Sequence, residues 1–334
     1  MTAGSLSHTA DGLRKFRFGA SGEGNKHEGG ARRFVRLAQT AEDYGYDTFA
    51  IPDHLGNQVG PFAALGALSQ ATSSIRLATS VLANGFRHPA VLAKEATTID
   101  VLSGGRLELG LGAGWLKAEY DAAGLDFGTP GERVRRLDEA LTILDGLLRG
   151  QSVDFDGEFY TVHGLEGSPR PRQGPRPPIA VGGGGPRILA LAAKHADIIS
   201  IATRTTPDGR LRLSDMTFER TCERVDRVRQ AAGERFDEIE LNWTIASIVV
   251  TEDRVGTAEM ALKALADGYP PNVARDVELT VDDLLASPYL AFGTYQEIAE
   301  QLRRVRRETS MSYVGIFPMQ MDVFAPVIPL LRGE

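Results

Sequence analysis

Eight short apolar segments with the pattern of buried strands recur along the chain of 334 residues, and most are followed by a segment with helical spacing. In the first such unit, residues 17–20 have strand character and residues 31–44 carry apolar side chains on one helical face. Parallel strands need helical crossovers, and eight units in this length favour a sheet that closes on itself. The alternation therefore predicts an α/β fold, a (β/α)8 TIM barrel with insertion segments.

The predicted strands lie at 17–20, 47–51, 75–82, 106–112, 178–181, 197–201, 238–250 and 313–317. The predicted helices lie at 31–44, 61–72, 90–102, 132–148, 186–195, 215–232 and 295–307. Two stretches, at about 150–176 and 203–213, do not fit the minimal unit, and we expect insertions over the rim of the active site. We expect residues 15–334 to form a single domain and residues 1–14 to be a flexible N-terminus.

Composition narrows the class of protein. A formal net charge of -7 argues against a broad nucleic-acid surface. No run of eighteen apolar residues occurs, the first fourteen residues have no signal-peptide pattern, and the single cysteine, Cys222, cannot form an internal disulfide. These features predict a soluble cytoplasmic protein whose partner is a small molecule, with neither nucleic acid nor membrane as a partner.

Functional residues of a TIM barrel lie at the carboxyl ends of its strands. The second predicted strand is followed by Asp53 and His54, a carboxylate and an imidazole suited to handling a proton or to hydrogen-bonding a polar ring edge. A simple turn cap after Pro52 is the alternative. The other histidines have no metal-ligand spacing, and neither a nucleophilic-serine motif nor a lysine at a strand end is present. We therefore expect no catalytic metal and chemistry supplied by a cofactor.

A run of glycines marks the end of the fifth predicted strand: Gly182, Gly183, Gly184 and Gly185. Pro186 then begins a predicted helix, and the N–H groups at such a junction bind phosphate well. A tight strand-to-helix connection without a ligand is the alternative. The motif is not a Walker loop, because Gly-Lys-Ser/Thr does not follow, so a phosphate-bearing cofactor remains open.

Several motifs together resemble the bacterial luciferase-like monooxygenase superfamily. They are GYDTFAIPDH at 45–54, RLATSV at 76–81, FRHPAVLAK at 86–94, LSGGRLELGLGAGW at 102–115, FDGEFY at 155–160 and PPIAVGG at 177–183. The resemblance spans about residues 17–318. It implies a TIM barrel, usually a homodimer, that binds either flavin mononucleotide (FMN) or the deazaflavin coenzyme F420.

The resemblance favours the F420-dependent branch, in which a hydride passes between the deazaflavin and a small organic substrate. In that branch a non-prolyl cis peptide, here Ser80–Val81, supports one face of the ring, and the residues matching Asp53 and His54 face the ring. The cofactor phosphate would fall on the glycines at 182–185. An FMN-dependent monooxygenase that uses reduced flavin and oxygen is the alternative.

The resemblance also bears on the substrate. Relatives that oxidise sugar phosphates have Glu at the position of Trp115, so a bulky apolar substrate is expected here, and Glu119 and Tyr120 are expected to line its pocket. Four arginines are candidates for meeting the acidic tail of F420, and an unpaired surface arginine is the alternative for each. They are Arg170, Arg172, Arg176 and Arg204.

Overall fold

The computed structural model describes residues 8–9, 12–22, 30–56, 58–206 and 209–334. Most of the predicted flexible N-terminus, namely residues 1–7 and 10–11, lies outside the described residues, as do residues 207–208 of the second predicted insertion. Among the described residues, no helix has both the length and the apolar character needed to cross a bilayer.

The strands β1 to β15 are, in order, Arg17–Ser21, Thr48–Ile51, Arg76–Thr79, Leu82–Ala83, Leu107–Gly112, Ser152–Asp156, Thr161–Glu166, Ile179–Gly183, Ile198–Ile201, Leu211–Arg212, Glu240–Ile245, Ser247–Val250, Val273–Ala274, Leu290–Gly293 and Met311–Ile316. The helices α1 to α12 are Gly30–Asp43, Pro61–Ala71, Pro89–Leu102, Lys117–Ala123, Pro130–Leu148, Pro186–His195, Phe218–Ala232, Arg254–Ala266, Val281–Ala286, Tyr295–Thr309, Met321–Phe324 and Ile328–Leu331. Short 3₁₀ turns lie at Asn84–Phe86, Leu213–Met216, Gly233–Glu238, Pro318–Gln320 and Ala325–Val327.

The principal sheet has the strand order β3-β2-β1-β15-β11-β9-β8-β5-β4, and β3 also pairs with β5, so that the sheet closes. Strands β3 and β4 both pair with β5 and are consecutive pieces of one barrel strand. Pairing is parallel, as in β2 and β3, where Phe49 lies opposite Leu77. The sheet thus has eight barrel strands, each within or overlapping a predicted one, and the predicted (β/α)8 TIM barrel is confirmed.

One predicted strand is wrong in extent. The segment predicted as a single strand at 238–250 is divided, because the barrel strand β11 ends at Ile245 and the backbone N–H of Ala246 donates to the carbonyl of Tyr289 at 2.8 Å. Strand β12 then pairs with β14 in a separate two-stranded parallel sheet. The apolar residues of the segment recur at strand spacing across the break, so the pattern gave no sign of this change of partner.

The seven predicted helices are all present, with ends within a few residues of those expected. Their starts have clear local causes: Thr129 and Glu132 form a capping box at the start of α5, and Thr294 and Glu297 form another at the start of α10. The predicted insertion at 150–176 contains the antiparallel hairpin β6–β7. Helices α4, α8, α9, α11 and α12 were not predicted.

The chain divides into two compact units. Among the described residues, the first comprises Ser21–Gly182 and Lys194–Ile198, and the second comprises the N-terminal residues up to Ala20, Gly183–Ala193 and Ile199–Glu334. In the first unit, α5 buries a continuous apolar face along its length. In the second unit, Ala258, Leu284 and Phe292 form a small apolar cluster beside β14.

Candidate active site

Asp53, at the end of β2, is buried beneath an arginine. Nη1 and Nη2 of Arg87 donate to Oδ2 and Oδ1 of Asp53 at 2.6 and 2.9 Å, and the backbone N–H of Ala83 donates to Oδ2 at 3.1 Å. This two-pronged, charge-assisted contact occupies both carboxylate oxygens. The structure therefore pairs Asp53 with the arginine of the FRHP motif, and the proton-handling role expected of Asp53 together with His54 stays a prediction.

His54 has a different carboxylate partner. Its Nδ1 lies 3.1 Å from both Oε1 and Oε2 of Glu119, which stands in the first turn of α4. Because an ionised carboxylate only accepts hydrogen bonds, this contact favours the tautomer that has the proton on Nδ1 and the lone pair on Nε2. The sequence analysis placed Glu119 among the substrate-contacting residues and missed this pairing, because 65 residues separate the two positions.

Trp115 stands beside this pair. Its ring meets that of His54 edge-on, with centroids 5.9 Å apart and an interplanar angle of 88°. Half of Trp115 is exposed, and so is half of Leu55, which follows His54 in the chain. The position is compatible with the substrate contact expected of Trp115, which stays a prediction.

Tyr120 does not reach a surface where a substrate could touch it. Only 2% of the residue is exposed, and its ring packs against Phe86 and Phe127 at centroid distances of 4.8 and 4.9 Å. Burial raises the pKa of its hydroxyl. Gly114 has φ +82°, and a Cβ there would overlap the Tyr120 hydroxyl. Tyr120 was expected to line the substrate pocket, but it packs in the interior behind the site.

The Ser80–Val81 peptide bond is cis, the geometry that the resemblance implies, and it interrupts the barrel strand between β3 and β4. Two glycines of β5 make room for it. A Cβ on Gly112 would lie 2.8 Å from Cγ2 of Val81, and one on Gly110 would overlap the carbonyl oxygen of Thr79. Oγ1 of Thr79 also donates to the carbonyl of Gly110 and accepts from its N–H, at 2.9 and 2.8 Å. The alternate glycines of β5 thus leave the space that the residues at the end of β3 occupy.

Sequence reasoning missed Asn84, which follows this strand end and is buried. Its Nδ2 donates to Oη of Tyr160 at 3.2 Å, and its Oδ1 has no partner among the described residues. The ring of His88 meets that of Tyr160 edge-on at 5.2 Å, and Nδ1 of His88 accepts from the backbone N–H of Ala90. His88 thus caps the start of α3.

The tip of the hairpin that carries Tyr160 is held by one carboxylate. Glu139 of α5 accepts three consecutive backbone N–H groups at 2.7, 2.9 and 3.1 Å, those of Glu158, Phe159 and Tyr160. The contact joins the hairpin tip to a long, well-packed helix. Two contacts therefore explain the FDGEFY motif: its turn binds Glu139 through backbone N–H groups, and its tyrosine accepts a hydrogen bond from Asn84.

In the second unit, Gly183, Gly184 and Gly185 lead from β8 into α6. A Cβ on Gly184 would overlap the carbonyl oxygen of Ala202 and would come within 3.3 Å of Cγ of Arg204, whereas a Cβ on Gly185 would meet nothing within 4 Å. Close packing thus explains Gly184. The space beside Gly185 is open at the helix N-terminus, where an anion is favoured.

Arg204, beside this glycine loop, is held in place by a buried carboxylate. Its Nε and Nη2 donate to Oδ2 and Oδ1 of the buried Asp215 at 2.9 and 2.7 Å. Burial raises the pKa of Asp215, but the hydrogen bonds from Arg204 and the charge of Arg224 outweigh it and lower the pKa overall. Arg224 also donates to Oη of Tyr289 at 3.1 Å. In this arrangement 48% of the Arg204 side chain stays exposed.

The other three arginines considered for an acidic tail are in the first unit. Arg176 is buried between Asp145 and Asp197, at 2.6 and 2.5 Å, so its charge is already neutralised and it does not fit that role. Arg170 and Arg172 are exposed. Gly182, the first of the four glycines after the fifth predicted strand, ends the segment Ser21–Gly182 of this unit. Its carbonyl oxygen would lie 3.6 Å from a Cβ on Gly112.

The barrel and this arrangement of strand ends define a class of protein. The chain belongs to the luciferase-like monooxygenase family, whose model matches residues 15–312. It is 34% identical over 176 residues to an F420-dependent glucose-6-phosphate dehydrogenase of Microbacterium testaceum, over 50% of this chain and 52% of that protein. It is 31% identical over 252 residues to a 5,10-methylenetetrahydromethanopterin reductase of Archaeoglobus fulgidus, over 75% of this chain and 70% of that protein. The chain spans about half the length of the curated dehydrogenases that it matches.

Solved structures share the fold. A coenzyme F420-dependent tetrahydromethanopterin reductase of Methanopyrus kandleri has a TM-score of 0.73 at 18% identity, covering 95% of this chain and 100% of that one. An F420-dependent secondary alcohol dehydrogenase has a TM-score of 0.70 at 20% identity, covering 95% and 99%. At these identities the likeness shows the barrel fold.

Proposed function

We propose that the chain is an oxidoreductase that transfers a hydride between coenzyme F420 and a small organic substrate. The observation that carries the proposal is the hydrogen-bonded pair of His54 and Glu119 at the strand ends of a luciferase-like barrel. Curated relatives named as F420-dependent dehydrogenases, such as that of Mycobacterium avium at 36% identity, favour F420 over FMN. When bound, the deazaflavin supplies a ring carbon that accepts or releases the hydride.

The residues at the end of β3 fit a planar ring. Val81 is half-buried and rests on the glycines of β5, and Ser80 is exposed, so the strand end presents a supported surface on one side only. Such a surface orients a ring and leaves its other face to the substrate. The buried Oδ1 of Asn84, which has no partner among the described residues, suits a ring-edge N–H donor.

The glycine loop of the second unit fits a phosphate. The open space beside Gly185 at the helix N-terminus would admit a phosphate, and the guanidinium of Arg204, which Asp215 orients, supplies positive charge. We assign the cofactor phosphate to Gly182, Gly183, Gly184 and Gly185, with Arg204 as an additional ligand. Replacing Arg204 by Met should raise the Kd for F420, with a smaller effect at high salt.

His54 handles the proton that accompanies the hydride. Glu119 holds the Nδ1–H group, so that Nε2 can accept a proton from a substrate hydroxyl or, once protonated, return it. Asp53 is a positioning residue, because Arg87 occupies its carboxylate and the pair holds the strand end that carries His54. Asp53 had been expected to handle the proton together with His54. In this proposal Glu119 orients the imidazole, and Asp53 holds the strand end.

A single domain and a homodimer are the organisation that we propose for the protein. We assign residues 15–334 to a single luciferase-like domain that works as a homodimer in the cytoplasm. The outer faces of α2 and α3, on which Ala63, Ala67, Val91 and Val101 are exposed among polar side chains, are the surface that we assign to the dimer. Light scattering of the purified protein measures its mass.

A titration of the purified protein with F420 and with FMN, followed by cofactor fluorescence, tests the proposal. We expect saturable binding of F420 and hydride transfer that leaves dissolved oxygen unchanged. Retention of FMN together with oxygen consumption on adding reduced flavin would instead establish the monooxygenase activity.

A further inference from the structure

The helix that carries Glu119 has little to hold it in place by itself. Helix α4, Lys117–Ala123, has seven residues, and Leu116 at its N-cap has no side-chain oxygen with which to cap it. A helix of this length is marginal on its own. The ion pair between Lys117 and Asp121 is largely exposed and adds little. The position of α4, and with it that of the Glu119 carboxylate, therefore depends on contacts with the rest of the first unit.

Tyr120 supplies such a contact. Of the seven residues of α4, all of which the structure describes, Tyr120 alone is buried. Its ring packs between Phe86, in the 3₁₀ turn after β4, and Phe127, in the loop after α4. Two glycines leave the space that it fills: a Cβ on Gly85 would lie 2.8 Å from its Oη, and one on Gly114 would overlap that atom. The helix is thus anchored through one aromatic side chain.

Arg133 of α5 holds the chain on both sides of this helix. Its guanidinium stacks on the ring of Phe127 at 3.7 Å. Its Nε donates to the carbonyl of Gly114, before α4, at 3.2 Å, and its Nη1 donates to the carbonyl of Gly128, after α4, at 2.9 Å. A continuous row of packed side chains results, which we call the aromatic row: Arg133, Phe127, Tyr120 and Phe86. Because α5 buries an apolar face along its length, the row ties α4 to a firm support.

The contact between Glu119 and His54 has little tolerance for movement of α4. Both carboxylate oxygens of Glu119 lie 3.1 Å from Nδ1 of His54, close to the upper limit of about 3.2 Å for an N–H···O hydrogen bond. A shift of α4 by about half an ångström would therefore break the contact. Because Glu119 directly precedes Tyr120 in the chain, the packing of Tyr120 controls whether His54 keeps its carboxylate partner.

We propose that Tyr120 is a positioning residue for the proton step. The packing of its ring in the aromatic row fixes α4, so that the Glu119 carboxylate stays within hydrogen-bond range of Nδ1 of His54. The inference rests on the proposed function, because that function gives the pair of Glu119 and His54 its role. Tyr120 is buried and acts through Glu119, not by touching a substrate.

The tautomer of His54 reports this contact without any cofactor. It is measured by ¹⁵N NMR of the purified chain labelled at histidine, at mildly alkaline pH, and His54→Gln assigns the His54 signals among those of the six histidines. We expect the proton on Nδ1 in the wild type and in the matched variant Tyr120→Phe, which keeps the ring. In Tyr120→Leu the Nδ1–H form should fall to a minority, because the row is broken.

Two further variants distinguish positioning from a general loss of stability. Glu119→Ala removes the partner outright, so it should give the same change of tautomer, and adding Tyr120→Leu to it should change nothing more. Leu302→Ala empties a buried position of α10 in the second unit. It should lower Tm and leave the tautomer of His54 as in the wild type. If Tyr120→Leu does not fold, Phe127→Leu removes one neighbouring ring only and should give a smaller loss of the Nδ1–H form.

The outcomes separate this inference from the proposed function. The role of Tyr120 is overturned if Tyr120→Leu, or Phe127→Leu in its place, keeps the wild-type tautomer, or if the wild-type chain has the proton on Nε2. It is also overturned if Tyr120→Phe loses the Nδ1–H form as fully as Tyr120→Leu. A chain that shows the expected changes but does not bind F420 overturns the proposed function and leaves the positioning of Glu119 by Tyr120 standing.

Discussion

The side chain of Val81 rests on the backbone of Gly112, where a Cβ would lie 2.8 Å from its Cγ2. The shape of the strand end in β3 and β4 therefore depends on the absence of a side chain in β5. The glycines at 110, 112 and 114 have separate reasons to be glycine, namely a carbonyl oxygen, a valine and a buried tyrosine.

Gly112→Ala should displace Val81. Because the methyl group overpacks a tight contact, we expect a loss of about 1–3 kcal/mol in the free energy of unfolding, measured by urea denaturation, and a weaker affinity for F420. Gly66→Ala is the matched control, because its Cβ would lie 3.7 Å from the nearest side chain and alanine favours a helix. Wild-type stability and affinity in Gly112→Ala would contradict the packing argument.

Glu119→Gln should impair the proton step. The neutral amide holds the imidazole less strongly and stabilises its protonated form less, so we expect kcat to fall about 10²-fold while KM changes little. Asp121→Asn, on the same helix, removes a carboxylate that pairs with the exposed Lys117 and serves as the control. A loss confined to KM would show that Glu119 contacts substrate instead.

Asp53→Asn should act mainly on stability. Removing one partner leaves the charge of the partly buried Arg87 uncompensated, and we expect a cost of about 3 kcal/mol in thermal or urea unfolding. The pH profile of the residual activity should match that of the wild type, because His54 and Glu119 are unchanged. A stable variant with an altered pH profile would return Asp53 to the proton pathway.

Glu42 makes folding stability sensitive to acid. Burial raises the pKa of its carboxyl, but the backbone N–H groups of Ser74 and Ile75, with Ser73, lower it to about 2. A carboxyl with a lowered pKa stabilises the fold above its unfolded value and loses that contribution as pH falls, here between about 4.5 and about 2. Glu42→Gln should cost about 1–2 kcal/mol at pH 7, after discounting for solvent screening, and little at pH 2.

Denaturation at a series of pH values measures this difference. Glu234→Gln, at an exposed position, is the control and should change stability little at any pH. Equal loss for Glu42→Gln at pH 7 and pH 2 would show that the carboxylate charge is not the cause.

The barrel could be predicted because each of its strands and most of its helices leave a local pattern. The glycine run and the strand-end residues also followed from position in that pattern. What failed were the contacts between distant segments. The partner of His54 comes from α4, a helix too short to show a clear period, and the partner of Asp53 comes from the FRHP motif, whose arginine has no distinctive spacing.

Burial was the second source of error. A tyrosine one turn along a helix is equally compatible with a pocket wall and with a packed interior, and only the neighbouring rings of Phe86 and Phe127 place Tyr120 in the interior. Strand β12 leaves the barrel for the same kind of reason, since its partner β14 lies far along the chain. The apolar pattern indicates that a residue is buried. Which residues bury it depends on how distant segments pack in the fold.

The carboxylate of Glu139 has a consequence for how this protein can change. It anchors the hairpin through main-chain N–H groups alone, which every residue except proline possesses. Side chains at 158 and 159 and along the two exposed strands can therefore vary without releasing the anchor, while Tyr160 keeps its place against Asn84. Variation in the outer surface of the insertion is thereby uncoupled from the architecture beneath it.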